Sequence, residues 1–282
     1  MQFKCFSRTY TVLAISMESL ANFETEFIDQ LAERWHTALV PFFGKEANSP
    51  KGSTKGVIFG TGFFINWNSS LFLVTAAHVI ETARNYSVVT LNINGYGVLL
   101  SNRKFRVFED SDIAISMFDF NELQQAGVGK IKVIPIATDR SGQEAMSRYV
   151  GMGFPASQNQ LNTAYKKLDR TSLIFSLFPA PIGQSSKTLV PNPLLLEYEL
   201  LRMKPGVNRS KNSKPPDIHG VSGGPVFRLF VFEKPVHSVE GDPDHGIHIG
   251  LELAGILVEW RTEEKHLIAA KTSDLIELLE CP

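Results

Sequence analysis

The chain has 282 residues, of which 43% are hydrophobic and 20% charged, a balance typical of a soluble globular protein with a sizeable core. Its formal net charge of −1 argues against capture of nucleic acid or an anionic membrane by overall charge, so we expect neither partner. No stretch approaches the roughly 20 apolar residues that a membrane-spanning helix needs.

Cysteine usage favours a reducing compartment. The two cysteines, Cys5 and Cys281, lie beside the chain ends, whereas small secreted domains are commonly cross-linked by several disulfides. We predict a cytoplasmic protein, with secretion less favoured and a Cys5–Cys281 bridge left open. Residues 1–16 are a leader of uncertain status, because their apolar run, residues 10–15, is shorter than the roughly 7–15 residues of a signal-peptide core.

The first predicted element is an amphipathic helix. Its apolar residues recur at steps of three and four, with Ser19 as a candidate N-cap and Pro41 just past the end. We assign residues 17–45 to this N-terminal helix and expect it to pack on the chain's own core. Binding of a regulatory protein partner is the alternative. The apolar positions are Leu20, Phe23, Phe27, Leu31, Trp35 and Ala38.

After Gly52 the pattern changes to short β-type runs separated by turn residues, which is typical of an antiparallel barrel or sandwich. One set of runs lies in residues 46–130, and a second begins near Ile131 within residues 131–271. A short C-terminal helix, residues 272–282, closes the chain. The predicted strands are Gly56–Ile65, Leu71–Thr75, Ser87–Asn92, Tyr96–Leu100, Phe105–Phe108, Ile113–Phe118, Arg148–Met152, Thr171–Phe178, Leu194–Leu201, Val226–Phe232, Gly250–Trp260 and Leu267–Ala270.

Two segments of the second set have unusual compositions. Residues 202–214 contain five Lys or Arg and no acid, which predicts a solvated loop. Residues 233–248 contain three histidines and four acids. Their spacing fits no closed metal site, so a long hairpin connection is favoured over a divalent metal site, and we predict no metal.

Three short segments carry chemically informative residues. Residues 73–79 read Leu-Val-Thr-Ala-Ala-His-Val and place His78 directly after an apolar run. Asp112 stands just before the next predicted strand, in Asp-Ser-Asp-Ile-Ala-Ile. Residues 219–226 read His-Gly-Val-Ser-Gly-Gly-Pro-Val, a glycine-rich turn around Ser222.

These residue types suit covalent acyl transfer. A serine hydroxyl is a poor nucleophile until a base removes its proton, and a neutral imidazole oriented by a carboxylate can do so near pH 7. The tetrahedral intermediate also needs two N–H donors aimed at its oxygen. A tight turn around Gly220, Gly223 and Gly224 would let the amides of Gly220 and Ser222 point the same way, because glycine tolerates positive φ.

In this order and setting, the three segments resemble the trypsin-like (chymotrypsin-fold) serine proteases, and more closely their disulfide-free bacterial branch, which includes the HtrA-type proteases. Residues 151–155 and 255–257 are similar to further parts of that family, so the resemblance spans about residues 55–275. It implies an all-β fold of two antiparallel Greek-key β-barrels and no cofactor. It also implies His78, Asp112 and Ser222 as the catalytic triad, and Gly220 and Ser222 as the oxyanion hole.

The substrate pocket departs from the family's pattern. Val221 stands where the secreted digestive members have aspartate, so activation by N-terminal trimming is not expected. The pocket strand continues Val-Glu-Trp at 258–260 in place of the family's Ser-Trp-Gly, which alters the cleft. A carboxylate at Asp217, near the family's pocket floor, would attract an Arg or Lys side chain of the substrate. The sequence leaves open whether Asp217 or its neighbour Pro216 occupies the pocket-floor position. The pocket residues that we predict are Asp217, His219, Val258, Glu259 and Trp260.

Two functions are consistent with these patterns. The first is a serine endopeptidase that hydrolyses protein or peptide substrates through an acyl-enzyme on Ser222. The second is a catalytically latent, protease-like binding or scaffold module that acts through the N-terminal helix and the altered cleft. The complete triad favours the enzyme.

Overall fold

The computed structural model describes residues 14–15, 35–45, 56–100, 102–136, 144–158, 172–180, 190–198, 218–236, 244–261 and 263–281. The strands are β1 (Ala14–Ile15), β2 (Leu39–Lys45), β3 (Val57–Trp67), β4 (Ser70–Ala76), β5 (Val88–Ile93), β6 (Tyr96–Leu99), β7 (Arg106–Phe108), β8 (Ile113–Phe118), β9 (Glu144–Gly153), β10 (Leu173–Pro179), β11 (Leu194–Tyr198), β12 (Pro225–Val236), β13 (Asp244–Arg261) and β14 (His266–Lys271). The helices are α1 (Ala77–Ala83), α2 (Phe120–Gln125) and α3 (Thr272–Glu280), with 3-10 turns at His36–Ala38, Glu109–Ser111 and Ala156–Gln158.

The strands form two antiparallel sheets. The first has the order β6-β5-β2-β3-β4-β8-β7. The second has the order β1-β13-β12-β9-β10-β11-β14, and pairing of β13 with β14 closes β9–β14 into a six-stranded barrel. Tight turns connect neighbouring strands: Asn94 and Gly95 join β5 to β6 with φ of 50° and 95°, the left-handed pair that a two-residue hairpin favours.

Both sheets repeat one strand order. In each, three successive strands pair in sequence, and a fourth returns to lie beside the first, which is the Greek-key arrangement. The last strand of each set, β8 or β14, then pairs with the third. The predicted all-β fold of two antiparallel barrels is therefore confirmed, and so is the C-terminal helix.

A shared core holds the two sheets together. The larger cluster of buried apolar side chains draws on both, for example Phe64 and Leu73 from the first and Met152 and Phe227 from the second. Burying each such side chain contributes roughly 1.5–3 kcal/mol. A smaller cluster fills the second barrel and includes Val221, next to Ser222.

The N-terminal boundary needs correction. The predicted helix segment 17–45 runs too far, because Leu39–Lys45 is strand β2, paired with both β3 and β5 and buried along all but its last residue. The first barrel therefore begins at Leu39 and not at residue 46. Trp35 is helical and stacks on Phe227 with ring centroids 5.9 Å apart, while most of the predicted helix lies outside the described residues.

The start of the second set also differs from the prediction. Residues near Ile131 form no strand; instead the amide of Ile134 donates to the carbonyl of Phe64, beside β3, and the set begins at β9. The predicted hairpin at 233–248 is formed by long β12 and β13 arms. Loop 202–214 lies outside the described residues, as does Cys5, whereas Cys281 is exposed and not in a disulfide.

Two further observations concern only the described ranges. None of their helices is long and apolar enough to cross a membrane. Their His, Cys, Asp and Glu side chains form no group of three or more that could hold a metal ion.

Candidate active site

His78 and Asp112 are held together by the first barrel. The Nδ1 atom of His78 lies 2.7 Å from Oδ2 of Asp112, and the backbone amide of His78 donates to Oδ1 of the same carboxylate at 2.9 Å. Both Asp112 oxygens therefore face one residue, which fixes the position and the rotation of the imidazole. The imidazole remains accessible, with 39% of its side chain exposed.

Local backbone geometry explains this pairing. β4 runs directly into α1, so His78 lies in the first turn of a helix whose early amides lack helical partners. The Asp112 carbonyl accepts from the amide of Ala77 at 3.0 Å, and its carboxylate accepts from the next amide. Asp112 adopts φ of 51°, a left-handed conformation that aspartate tolerates better than most residues, at the end of the turn Glu109–Ser111.

Ser222 lies in two consecutive β-turns, residues 218–224, which we call the serine turn. The amide of Val221 donates to the carbonyl of Ile218, and that of Gly224 donates to the carbonyl of Val221. The third residue of each turn is a glycine with positive φ, Gly220 at 94° and Gly223 at 85°, as a type II turn requires. Backbone conformation thus explains Gly220 and Gly223. Gly224 does not have a positive φ; a Cβ atom there would lie 2.0 Å from the carbonyl oxygen of Met152.

The amides of Gly220 and Ser222 have no hydrogen-bond partner within the described part of the chain. The other amides from 220 to 224 are all used: those of Val221 and Gly224 close the two turns, and that of Gly223 donates to the carbonyl of Leu257 at 2.7 Å. The two unused donors are the pair predicted for the oxyanion hole. They are separated by one peptide.

One cavity of about 530 Å³ brings the two barrels' contributions together. It is lined by His78 and Asp112 from the first barrel and by Ser222 from the second. Among the hydrogen bonds of the described residues, none joins the Ser222 hydroxyl to His78. Catalytic hydrogen bonds are often long without substrate and shorten when it binds.

The two walls of this cavity differ in character. The second barrel supplies buried apolar side chains, Val190, Ile218, Val221, Leu257, Val258 and Leu267. The first barrel supplies two exposed carboxylates, Glu81 and Glu109. Among the described lining residues there is no Lys or Arg.

Four of the five predicted pocket residues line the cavity: His219, Val258, Glu259 and Trp260. The fifth, Asp217, lies outside the described residues. A register shift between Leu257 and Glu259 interrupts the alternation of β13, so that Leu257 and Val258 are both buried.

The rim residues of the pocket have identifiable partners. The ring of Trp260 meets that of His219 edge-on, with centroids 6.1 Å apart. Glu259 accepts from Arg261 Nε at 2.8 Å, and this hydrogen bond raises the pKa of the Arg261 guanidinium. Glu259 is therefore already paired with a cation.

Sequence reasoning missed Thr61 and Thr75, two fully buried polar residues beneath the serine turn. Thr61 bonds directly to that turn, and the hydroxyl of Thr75 donates to the carbonyl of Thr61 at 2.7 Å. The Gly-Thr-Gly segment before the first motif was the available signal, but its contact with Gly220 spans 159 positions.

Comparisons with known proteins give distant structural likenesses and no family. No protein-family model matches the sequence, and no curated protein does. The serine protease domain of the Sesbania mosaic virus polyprotein is similar in structure, with 15% identity over 87% of this chain and 94% of that one, and a TM-score of 0.46. Human heparin binding protein gives 12% identity, 88% and 94% coverage and a TM-score of 0.46.

These likenesses are too distant to support an argument about the site. A third structure, from work on folding and binding of the Sesbania mosaic virus VPg protein, gives 14% identity over 86% of this chain and 90% of that one, with a TM-score of 0.44. The finer resemblance to the HtrA-type branch stays a prediction.

Proposed function

We propose that this protein is a serine endopeptidase that uses Ser222, His78 and Asp112. The observation that carries the proposal is a convergence on one cavity. A carboxylate-bound imidazole and a serine on a tight turn both line it, although they come from different barrels. The same turn carries two backbone amides that have no partner within the described residues.

Each group has a role that its position supports. The Ser222 oxygen attacks the scissile carbonyl carbon while His78 takes the hydroxyl proton, and Asp112 stabilises the resulting imidazolium. The amides of Gly220 and Ser222 donate to the oxygen that gains negative charge. Collapse of the tetrahedral intermediate breaks the C–N bond, and His78 returns the proton to the leaving amine. Water then hydrolyses the ester on Ser222 by the same steps, so no cofactor is needed.

A second candidate is a latent, protease-like binding module. The observation that favours it is the missing hydrogen bond between Ser222 and His78. In that case the barrels would present the cavity as a binding surface, and a regulatory protein partner would be needed to bring the two side chains together. A cytoplasmic location is proposed for either function, from the cysteine usage alone.

Labelling with a fluorophosphonate separates the two candidates. Purified wild type should be labelled covalently, and Ser222→Ala and His78→Ala should both lose the label. Ser273→Ala is the matched control, because it removes a serine hydroxyl at an exposed position of α3. Wild type that stays unlabelled would exclude an assembled site in the isolated chain and favour the latent module.

A further inference from the structure

Thr61 lies within β3 and is fully buried, and the proposed reaction gives it no role. Its hydroxyl donates to the carbonyl of Gly220 at 2.7 Å and accepts from the amide of Phe154 at 2.9 Å. Its backbone amide donates to the carbonyl of Ser222 at 2.8 Å. One residue of the first barrel therefore holds the serine turn of the second barrel at two points.

The direction of a backbone amide is fixed when the carbonyl of the same peptide is anchored, because the peptide is planar. Four successive carbonyls of the serine turn are anchored. Those of Gly220 and Ser222 are held by Thr61, that of Val221 by the amide of Gly224, and that of His219 by the amide of Ala156 at 2.6 Å. Thr61 thus supplies two of the four anchors, those of the peptides that carry the amides of Val221 and Gly223, on either side of the Ser222 amide.

The Thr61 hydroxyl also controls a third anchor indirectly. By accepting from Phe154, it fixes the segment after β9 that carries Ala156. The His219 carbonyl that Ala156 binds belongs to the same peptide as the amide of Gly220. The direction of that amide therefore depends on the Thr61 hydroxyl through Phe154 and Ala156.

We propose that Thr61 is a positioning residue, which holds in place the serine turn that carries the amides of Gly220 and Ser222. The catalytic part of this inference rests on the proposed function. Thr61 touches no reacting atom; it acts through the turn. Because the Thr61 hydroxyl is buried with both its partners, its loss leaves the carbonyl of Gly220 and the amide of Phe154 unpaired in the interior.

Thr61→Val is the direct test, since valine keeps the shape and removes the hydroxyl. Thr61→Ser keeps the hydroxyl and should therefore retain the activity and the protection of the serine turn from hydrogen exchange. Thr272→Val is the matched control, because Thr272 is also buried and its hydroxyl also donates to a backbone carbonyl, that of Leu253 at 2.7 Å, away from the turn. Thr61→Cys, smaller and a weak hydrogen-bond partner, replaces Thr61→Val should the latter fail to fold.

Two measurements test whether Thr61 positions the serine turn. In Thr61→Val, kcat on a peptide substrate should fall about 10²-fold with little change in KM, because the oxyanion donors act on the transition state. Hydrogen exchange at the amides of Val221 and Gly224 should become about tenfold faster, as expected for the loss of the buried hydrogen bond that joins the Thr61 hydroxyl to the turn at Gly220. Thr61→Ser and Thr272→Val should match wild type in both.

The outcomes distinguish this inference from the proposed function. Unchanged exchange in Thr61→Val, or an active wild type whose kcat survives the substitution, would overturn the inference. Wild type that neither labels nor hydrolyses peptides would defeat the proposed function, and the exchange measurement would then decide alone whether Thr61 orders the turn.

Discussion

Gly223→Ala should destabilise the protein strongly, because the added methyl group has no room. A Cβ atom there would lie 2.1 Å from the carbonyl oxygen of Thr61 and 2.2 Å from the hydroxyl oxygen of Thr75. Those two atoms are hydrogen-bonded to each other in the interior. The methyl group therefore collides with the backbone at Thr61 as well as with the Thr75 hydroxyl, so a turn of the Thr75 side chain alone would not make room for it.

The magnitude follows from two contributions. An L-residue in the left-handed region costs about 1–2 kcal/mol relative to glycine. Displacing the bond between Thr75 and Thr61 leaves buried polar atoms unpaired, at about 1–3 kcal/mol. The free energy of unfolding should therefore fall by about 2–5 kcal/mol, and the melting temperature by about 2–4 °C for each kcal/mol.

Urea unfolding followed by circular dichroism measures this loss. Gly129→Ala is the matched control, because a Cβ at Gly129 meets nothing within 4 Å; its unfolding free energy should stay within about 1 kcal/mol of wild type. A Gly223→Ala protein as stable as Gly129→Ala would refute the packing described for the serine turn.

Two further predictions concern the first barrel. Asp112→Asn should lower the rate of peptide hydrolysis by about 10⁴-fold, because an amide nitrogen facing Nδ1 favours the wrong imidazole tautomer; a loss below about tenfold in steady-state kinetics would count against the role given to Asp112. Arg106→Ala should reduce the free energy of unfolding by about 0.5–1.5 kcal/mol in urea titrations, since the guanidinium donates to the carbonyls of Leu278 and Cys281 at the end of α3. Fluorophosphonate labelling of Arg106→Ala should equal that of wild type, and a loss of labelling would mean that α3 supports the site.

Sequence patterns predicted most strands because apolar alternation and turn residues are local signals. They failed at β2, whose uninterrupted apolar run followed a helical pattern and held Pro41, and which is buried between β3 and β5. They also missed α1 and α2, which have seven and six residues. Helices this short are not stable alone and form through tertiary contacts, as α1 does through Asp112.

For the candidate site, too, the sequence predicts what local motifs carry and misses what depends on long-range contacts. His78, Asp112 and Ser222 stand in recognisable motifs, so the sequence located them and the structure places them on one cavity. The role of Thr61 could not be predicted, because the Gly-Thr-Gly segment draws attention to this position but does not indicate its bond to a residue 159 positions away. The pocket role of Asp217 stays a prediction.

Because the two barrels each supply part of the site, the order of synthesis determines when the site can assemble. Synthesis from the N-terminus completes the His78–Asp112 pair while Ser222 is still more than a hundred residues away. The serine turn then depends on β13, because the amide of Gly223 donates to the carbonyl of Leu257. We therefore expect that a nascent chain on the ribosome does not yet contain the complete site. The proposed peptidase activity would begin only after nearly the whole polypeptide has emerged and folded.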